Sequence, residues 1–441
     1  MKRRILAFGL ALIMMFVVML TGCGGSKTDQ SSGQTQQTDK PASKEDNSSK
    51  SSSGPVTITY GLWDTNQAEG FKTMISEFEK ENPNIKIEMQ VTGWAEYWTA
   101  LDVAASSGTL PDTFWMHTNS IYKYTSQERI MDLTDKIEKS DKVSMDNFPQ
   151  GLVEIFKYNG KQYCVPKDFD TIGLWYNKTA FDEAGLKYPD ETWTWDDLYE
   201  AAKKLTKPDK SQYGFLAALH NQEGFYNFIY QNGGTVITPD KKSGYDDPKT
   251  IEAMEYYVRF VKEGLSPQVF DDAERAQLMQ NGLVAMGLFG SWNLSGFAAN
   301  EFMAQNCDVT VLPASPGGGR ASIYNGLGYA IAPNTKDENA AWKWIEYLGS
   351  KEGQTRQAEL GIAISAYNGT ADAWVESNKT FSIKCFIDML DYAVIRPYSN
   401  TTTVWEDKVY EELRGAFTEE KTVEQACKDA ARVMNECLAQ E

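Results

Sequence analysis

Residues 57–116 read TITYGLWDTNQAEGFKTMISEFEKENPNIKIEMQVTGWAEYWTALDVAASSGTLPDTFWM, and this stretch decides the fold. Its opening, TITYGLW (Thr57 to Trp63), is β-branched and aromatic, the composition of a strand. Phe71, Met74, Ile75 and Phe78 then recur at helical spacing, and the run stops before Pro83. IKIEMQV (Ile85 to Val91) is a second strand, and a second helix runs from about Trp94 to Ser107. PDTFWM (Pro111 to Met116) is the third strand. This βαβαβ start predicts a mostly parallel sheet flanked by helices, because parallel neighbours need a long crossover and the helices supply it.

Alternation continues downstream. Asn159-Gly160, between IFKY and KQYCV, predicts a two-residue hairpin turn. DTIGLWYNK (Asp170 to Lys178) is a further strand. Thr194 with Asp197 forms a capping-box pattern ahead of WDDLYEAAKKL, and Asp247-Pro248 starts a helix with Ile251, Met254, Val258 and Val261 as its buried stripe. LVAMGLF (Leu283 to Phe289), DVTVL (Asp308 to Leu312) and GYAIA (Gly328 to Ala332) are short buried strands, and the region from Thr403 to Ala439 is helical. One core of this size normally splits, so residues 56–441 are expected to form two lobes.

Upstream, the chain changes character. Met1 to Arg4 is basic and Ile5 to Leu20 is uncharged, too short for a spanning helix and shaped like a secretory signal peptide. Leu20-Thr21-Gly22-Cys23 closes it and resembles the bacterial lipobox, which implies cleavage after residue 22 and lipid on Cys23. Such an anchor holds a protein to a bilayer without spanning it. Residues 24–55 hold no aromatic, Val, Ile, Leu or Met, so with Cys23 they read as a flexible Ser/Gln/Gly tether.

The chain carries 43 basic and 61 acidic side chains, a net of −18. The first 22 residues hold three of the bases and no acid, which leaves −21 downstream, all of it in residues 56–441. That sign repels phosphate backbones and argues against nucleic-acid binding. Five cysteines beyond Cys23 show no CxxC or zinc spacing and read as small buried hydrophobes. With only His117 and His220, no triad or metal site is visible, and there is no GxSxG, HExxH or P-loop. The run Gly317-Gly318-Gly319 lacks a lysine and reads as a turn. No feature selects a pair of carboxylates for glycoside hydrolysis.

What stands out is 12% aromatic residues, several placed at strand ends beside polar groups. Trp63 is followed by Asp64; Trp115 by His117 and Asn119; Asp168 and Asp170 precede GLWYN; Trp292 follows Gly290-Ser291; Arg396 and Tyr398 flank Pro397. In open α/β sheets ligands bind beyond the strands' carboxyl ends. An indole covers the C–H face of a pyranose while a carboxylate or guanidinium takes its hydroxyls. Trp98, Trp175, Trp342, Trp344 and Trp374 lie within element patterns and read as core, whereas Trp63, Trp115 and Trp292 read as ligand platforms. Asp64, Asp168 and Asp170 serve a site or a cap equally well.

Four segments carry a family resemblance: ITYGLWD, WAEYWTALDVAASSGTLPDTFWM (94–116), PKDFDTIGLWYNKTAFDEAGL (166–186) and QNGLVAMGLFGSWNL (280–294), the last followed by GYAIAPNTKDENAAWKWIEYL. In order and spacing they resemble the extracellular solute-binding proteins of bacterial ABC importers, in the sugar-binding cluster that includes maltose-binding protein. The resemblance implies a two-lobed α/β fold of the type II periplasmic-binding-protein kind, with three hinge crossovers and ligand between the lobes. Lobe one is expected at 56–166 plus 322–364, lobe two at 167–321 plus 365–441. Carried over by position, it implies ligand contacts from Trp63, Asp64, Trp115, Asp170, Trp292, Asn325 and Gly326. Asp168, Tyr226 and Arg396 are added from position and chemistry. It further implies no catalysis, cofactor or metal, a monomer, a mono- or oligosaccharide ligand, and an ABC permease as partner at the extracytoplasmic face of the cell membrane. A surface glycan adhesin and a glycoside hydrolase are the alternative classes.

Overall fold

A computed structural model describes residues 54–441; the leader, Cys23 and residues 24–53 of the tether lie outside the described residues. The strand expected at Thr57 forms as β1 (Val56–Leu62). Asp64 then caps helix α1 (Thr65–Glu81) by accepting from Asn66 N and Gln67 N, which satisfies N–H groups the first helical turn leaves orphaned. Strand β2 (Ile85–Val91), helix α2 (Trp94–Ser107) and strand β3 (Thr113–His117) follow where the periodicity places them. Gly108, at φ 71°, ends α2 in the left-handed conformation that favours glycine. The hairpin β4 (Lys157–Tyr158) and β5 (Lys161–Gln162) turns at Asn159 and Gly160, both at positive φ.

The remaining strands are β6 (Val165–Asp170), β7 (Ile172–Asn177), β8 (Met286–Gly290), β9 (Cys307–Thr310), β10 (Ser322–Ile331), β11 (Ile364–Ser365) and β12 (Ala393–Ile395). A seven-stranded sheet runs β11-β6-β10-β3-β1-β2, with β12 on β10; a three-stranded sheet runs β8-β7-β9. The α/β class stands, but the mostly parallel reading is corrected. Only β1·β2, β1·β3 and β10·β12 are parallel among the described strand pairs, while β10 runs antiparallel to both β3 and β6, and β7 to both β8 and β9. The reason is long-range: β10 enters between β3 and β6 from more than 150 residues downstream, and no local crossover sets its direction.

The two sheets meet where the chain passes between them. Thr171 alone separates β6 from β7, and Ser322 at the start of β10 accepts from Ile172 N at 2.8 Å. Arg396, just beyond β12, donates its N–H to Tyr324 O at 2.7 Å. Three passages of chain therefore lie side by side, and the site forms around them. Thr194 and Asp197 make the expected capping box on helix Trp195–Leu205, and Asp247 caps helix Pro248–Lys262 with proline at its start. Trp175, Trp344 and Trp374 are fully buried, and the free cysteines Cys164, Cys307, Cys385, Cys427 and Cys437 are buried. Among the described residues no helix is long and apolar enough to cross a membrane.

Candidate functional site

The end of β1 and the start of α2 build an aromatic wall. Trp63 lies 5.1 Å from Trp94 at an interplanar angle of 80°, and Trp94 lies 5.4 Å from Trp98 at 81°. These edge-to-face contacts brace each ring through its rim or one face. Trp94 is 40% exposed, while Trp63 and Trp98 are half-buried. The Trp98 Nε1 donor is buried without a partner. Trp94 was missed in the sequence and Trp98 read as core. Their i, i+4 spacing on the first turn of α2, directly across from Trp63, is the signal that could have found them.

Trp115 is corrected from platform to foundation. It is fully buried, its Nε1 donates to Tyr60 Oη at 2.5 Å, and Trp63 and Phe71 pack edge-on against it. The Lys167 ammonium stands 4.2 Å from its ring centroid, so a cation of the protein occupies a ring face that a sugar would need. Lys167 is itself fully buried, donating to Asp168 Oδ2 at 2.5 Å and Gln67 Oε1 at 3.0 Å. Gln67 in turn donates to Asp64 Oδ2 at 2.9 Å. Asp168 completes the layer by accepting from Leu327 N at 2.9 Å. Asp168 is thus tied up beneath the site, whereas half-buried Asp64 still reaches the surface. Burial raises the Asp64 carboxyl, offset in part by its cap hydrogen bonds and Lys167.

Asn325 and Gly326 also sit below the surface. Asn325 is 1% exposed, donates to His117 Nε2 at 2.9 Å and accepts from Thr118 Oγ1 at 2.5 Å. A Cβ at Gly326 would meet Asp168 O at 2.4 Å, so glycine there serves close strand packing. His117 accepts from Asn325, contacts Asn119 Oδ1 through Nδ1 at 2.8 Å, and packs 5.4 Å from Trp94. Burial, reinforced by the charge of Arg396, pushes its imidazole down to about 3, so it is neutral at physiological pH.

Opposite stands a polar floor. Asp170, half-buried at the end of β6, accepts from Gln222 Nε2 at 2.8 Å. Burial and the neighbouring Asp168 charge hold its carboxyl well above the ordinary range, against the pull of Arg396. Gln222 lies in a π-helical turn, Asn221–Phe225, distorted at Glu223 and Gly224; such turns recur at functional sites. Buried Glu223 accepts from Gly290 N at 2.6 Å and Asn293 Nδ2 at 2.8 Å, and pairs with Arg275. It thereby pins the loop bearing half-buried Trp292. A Cβ at Gly290 would stand 1.9 Å from the Trp292 ring, so the Gly-Ser-Trp order lets the indole fold back over the strand end.

Arg396 is 6% exposed and directs Nη2 at both Glu406 oxygens, at 2.7 and 2.9 Å. Its Nε and Nη1 donors are buried without a partner. Leaving a buried donor unmatched is costly, so these two atoms call for a partner. Tyr226 is 1% exposed and donates to Glu406 at 3.5 Å, with Asn221 Nδ2 on the same oxygen at 3.0 Å. It belongs to the wall behind Arg396 and not to the surface, which corrects its placement. Half-buried Tyr324 brings a further hydroxyl without a partner. Gln222, Glu223, Asn293 and Glu406 were missed, since helix-interior and turn positions gave no pattern to single them out.

The two sides converge. Gly296, four residues after Trp292, lies so near the first turn of α1 that a Cβ there would be 3.2 Å from Asn66 Nδ2. The charge of Arg396 acts on Asp170, His117 and His220 alike. Of the expected site residues, Trp63, Asp64, Asp170 and Trp292 are half-buried and Arg396 keeps two donors without a partner. Trp115, Asp168, Asn325, Gly326 and Tyr226 are buried. Half-buried indoles, carboxylates and unmatched donors are the groups that suit an amphipathic, polyhydroxylated ligand.

Residues 64–355 match the profile of the bacterial extracellular solute-binding proteins. The chain belongs to that family. It is 26% identical over 331 residues to a galactooligosaccharide-binding protein of Bacillus subtilis (strain 168), covering 72% of this chain and 74% of that protein. An ABC substrate-binding protein from Listeria monocytogenes, solved in complex with cycloalternan, is 25% identical with a TM-score of 0.80 over 87% of this chain and 99% of its own. Maltose-bound MalE3 of T. maritima, 22% identical, shares the fold with a TM-score of 0.74 over 87% of this chain and all of that one. The solute-binding protein therefore has the two-lobed type II architecture of sugar-binding components of ABC transporters, acts outside the cytoplasm, and binds where an enzyme would react.

Proposed function

We propose that this solute-binding protein is a lipid-anchored receptor that closes on a mono- or oligosaccharide and delivers it to an ABC permease. The observation that carries this reading is that Arg396, whose charge reaches Asp170, keeps Nε and Nη1 buried without a partner, while Trp63 and Trp292 stay half-buried. A sugar hydroxyl both accepts and donates, so one placed there takes a hydrogen bond from Nε or Nη1 and gives one to Asp170. Trp63, Trp94 and Trp292 cover the C–H faces of the sugar rings. Lobe one would comprise 56–166 plus 322–364, and lobe two 167–321 plus 365–441. A ligand touching both stabilises the closed state by its greater affinity for it.

Cys23 would bear the lipid, and a 32-residue flexible tether would reach about 30 Å, enough for a monomer to meet a permease in the same membrane. Isothermal titration against neutral mono- and oligosaccharides tests the ligand class: a saccharide is expected to bind 1:1 with compaction in small-angle scattering. Binding of a peptide or metal ion with no saccharide bound would overturn the reading, and binding only to insoluble polymer would favour an adhesin. Cys23→Ala is expected to release the protein from the membrane fraction.

A further inference from the structure

We propose that the cleft selects uncharged sugars and rejects those bearing a carboxylate or phosphate, an inference that rests on the sugar-receptor reading. Three buried cations close to these carboxylates are matched by acidic partners among the described residues. Lys167 pairs with Asp168 at 2.5 Å, Arg275 with Glu223, and Arg396 with both oxygens of Glu406. Three ion pairs therefore contribute no net charge. Asp64 and Asp170 remain, and their hydrogen-bond partners are neutral: Asn66 N, Gln67 N and Gln67 Nε2 for Asp64, Gln222 Nε2 for Asp170. Among the described residues neither makes an ion pair, so no cation of the protein is bonded to either carboxyl group.

The histidines do not offset this. Burial holds both His117 and His220 in the neutral form, with the Arg396 charge acting in the same direction. The free edge of Arg396 is the one place where an anion could be welcomed, and it decides the question. Its guanidinium has spent its charge on Glu406 and has Asp170 within electrostatic reach, so an anion there meets two carboxylates and one cation. A hydroxyl loses nothing, because it turns its own proton toward Asp170. Like-charge juxtaposition at a desolvated site is a strong rejection device.

The test uses the full soluble chain from residue 24 and a panel of neutral trisaccharides (maltotriose, galactotriose, xylotriose and arabinotriose), with trigalacturonate and galactose 6-phosphate as acidic probes. At least one neutral sugar is expected to bind, and each acidic probe at least about 100-fold more weakly. In Asp170→Asn the neutral-to-acidic affinity ratio is expected to shrink by about tenfold or more, whatever happens to absolute affinity. Equal or tighter binding of an acidic probe overturns the inference while leaving the sugar receptor intact. Binding of neither class overturns both. An unchanged ratio in Asp170→Asn removes Asp170 as its cause and overturns rejection by carboxylate repulsion.

Discussion

Asp170→Asn should weaken ligand binding and, in the empty protein, raise stability. The carboxylate is held between β6 and the cleft with Gln222 Nε2 as its side-chain partner and no ion pair, and burial lifts it well above the ordinary range. A raised carboxyl favours the native state fully below its unfolded value, and this contribution is lost as pH rises through the folded value. Where it is ionised, the buried side chain therefore opposes folding. Asparagine keeps an oxygen for Gln222 and removes the buried carboxyl group. A net gain of about 1 kcal/mol, or a Tm higher by about 1–3 °C, follows for a chain of this size. Binding moves the other way: a charge-assisted hydrogen bond of about 1.5–3 kcal/mol becomes a neutral one of about 1, so affinity falls about 2- to 30-fold. Differential scanning fluorimetry without ligand and isothermal titration with the sugar read both effects. The stability gain should vanish below about pH 4, where the wild-type carboxyl becomes protonated in both states. A lower Tm at pH 7 together with unchanged affinity would refute the reasoning.

Three further outcomes can be checked. Trp115→Ala should lower stability by about 3–5 kcal/mol in denaturant unfolding, as a buried ring is lost, whereas Trp94→Ala, 40% exposed, should leave stability within about 1 kcal/mol but weaken sugar binding in a fluorescence titration. Lys167→Met leaves Asp168 buried without its cation and should cost about 3–5 kcal/mol by the same measurement. His117, pushed down to about 3, contributes stability that is present above about pH 6.5 and lost as pH falls toward 3, so Tm should drop on acidification through that window, and His117→Asn should flatten the slope.

The sequence by itself determined the elements. Strand composition, helical spacing, the Asn159-Gly160 turn and the caps at Thr194 and Asp247 act over a few residues, and each formed where it was read. It also placed Trp63, Asp64, Asp170, Trp292 and Arg396 at or near ends of elements. What only the tertiary structure decided is which strand-end side chains stay accessible. Trp115 and Trp63 look alike in sequence, each closing a strand ahead of polar residues. Yet β10 lies alongside β3, and Lys167 from β6 reaches over the Trp115 ring, so one indole is roofed and the other left half-open. Direction is lost for the same reason: β10 returns antiparallel from a distant segment, so the sheets are mixed where the local βαβ pattern predicts parallel strands. The pairing of Arg396 with Glu406 spans only ten residues, but it is the enclosure by the π-turn and the neighbouring strands that leaves two donors of Arg396 unmatched. Exposure is a property of what packs on a side chain from afar, and no local pattern carries it.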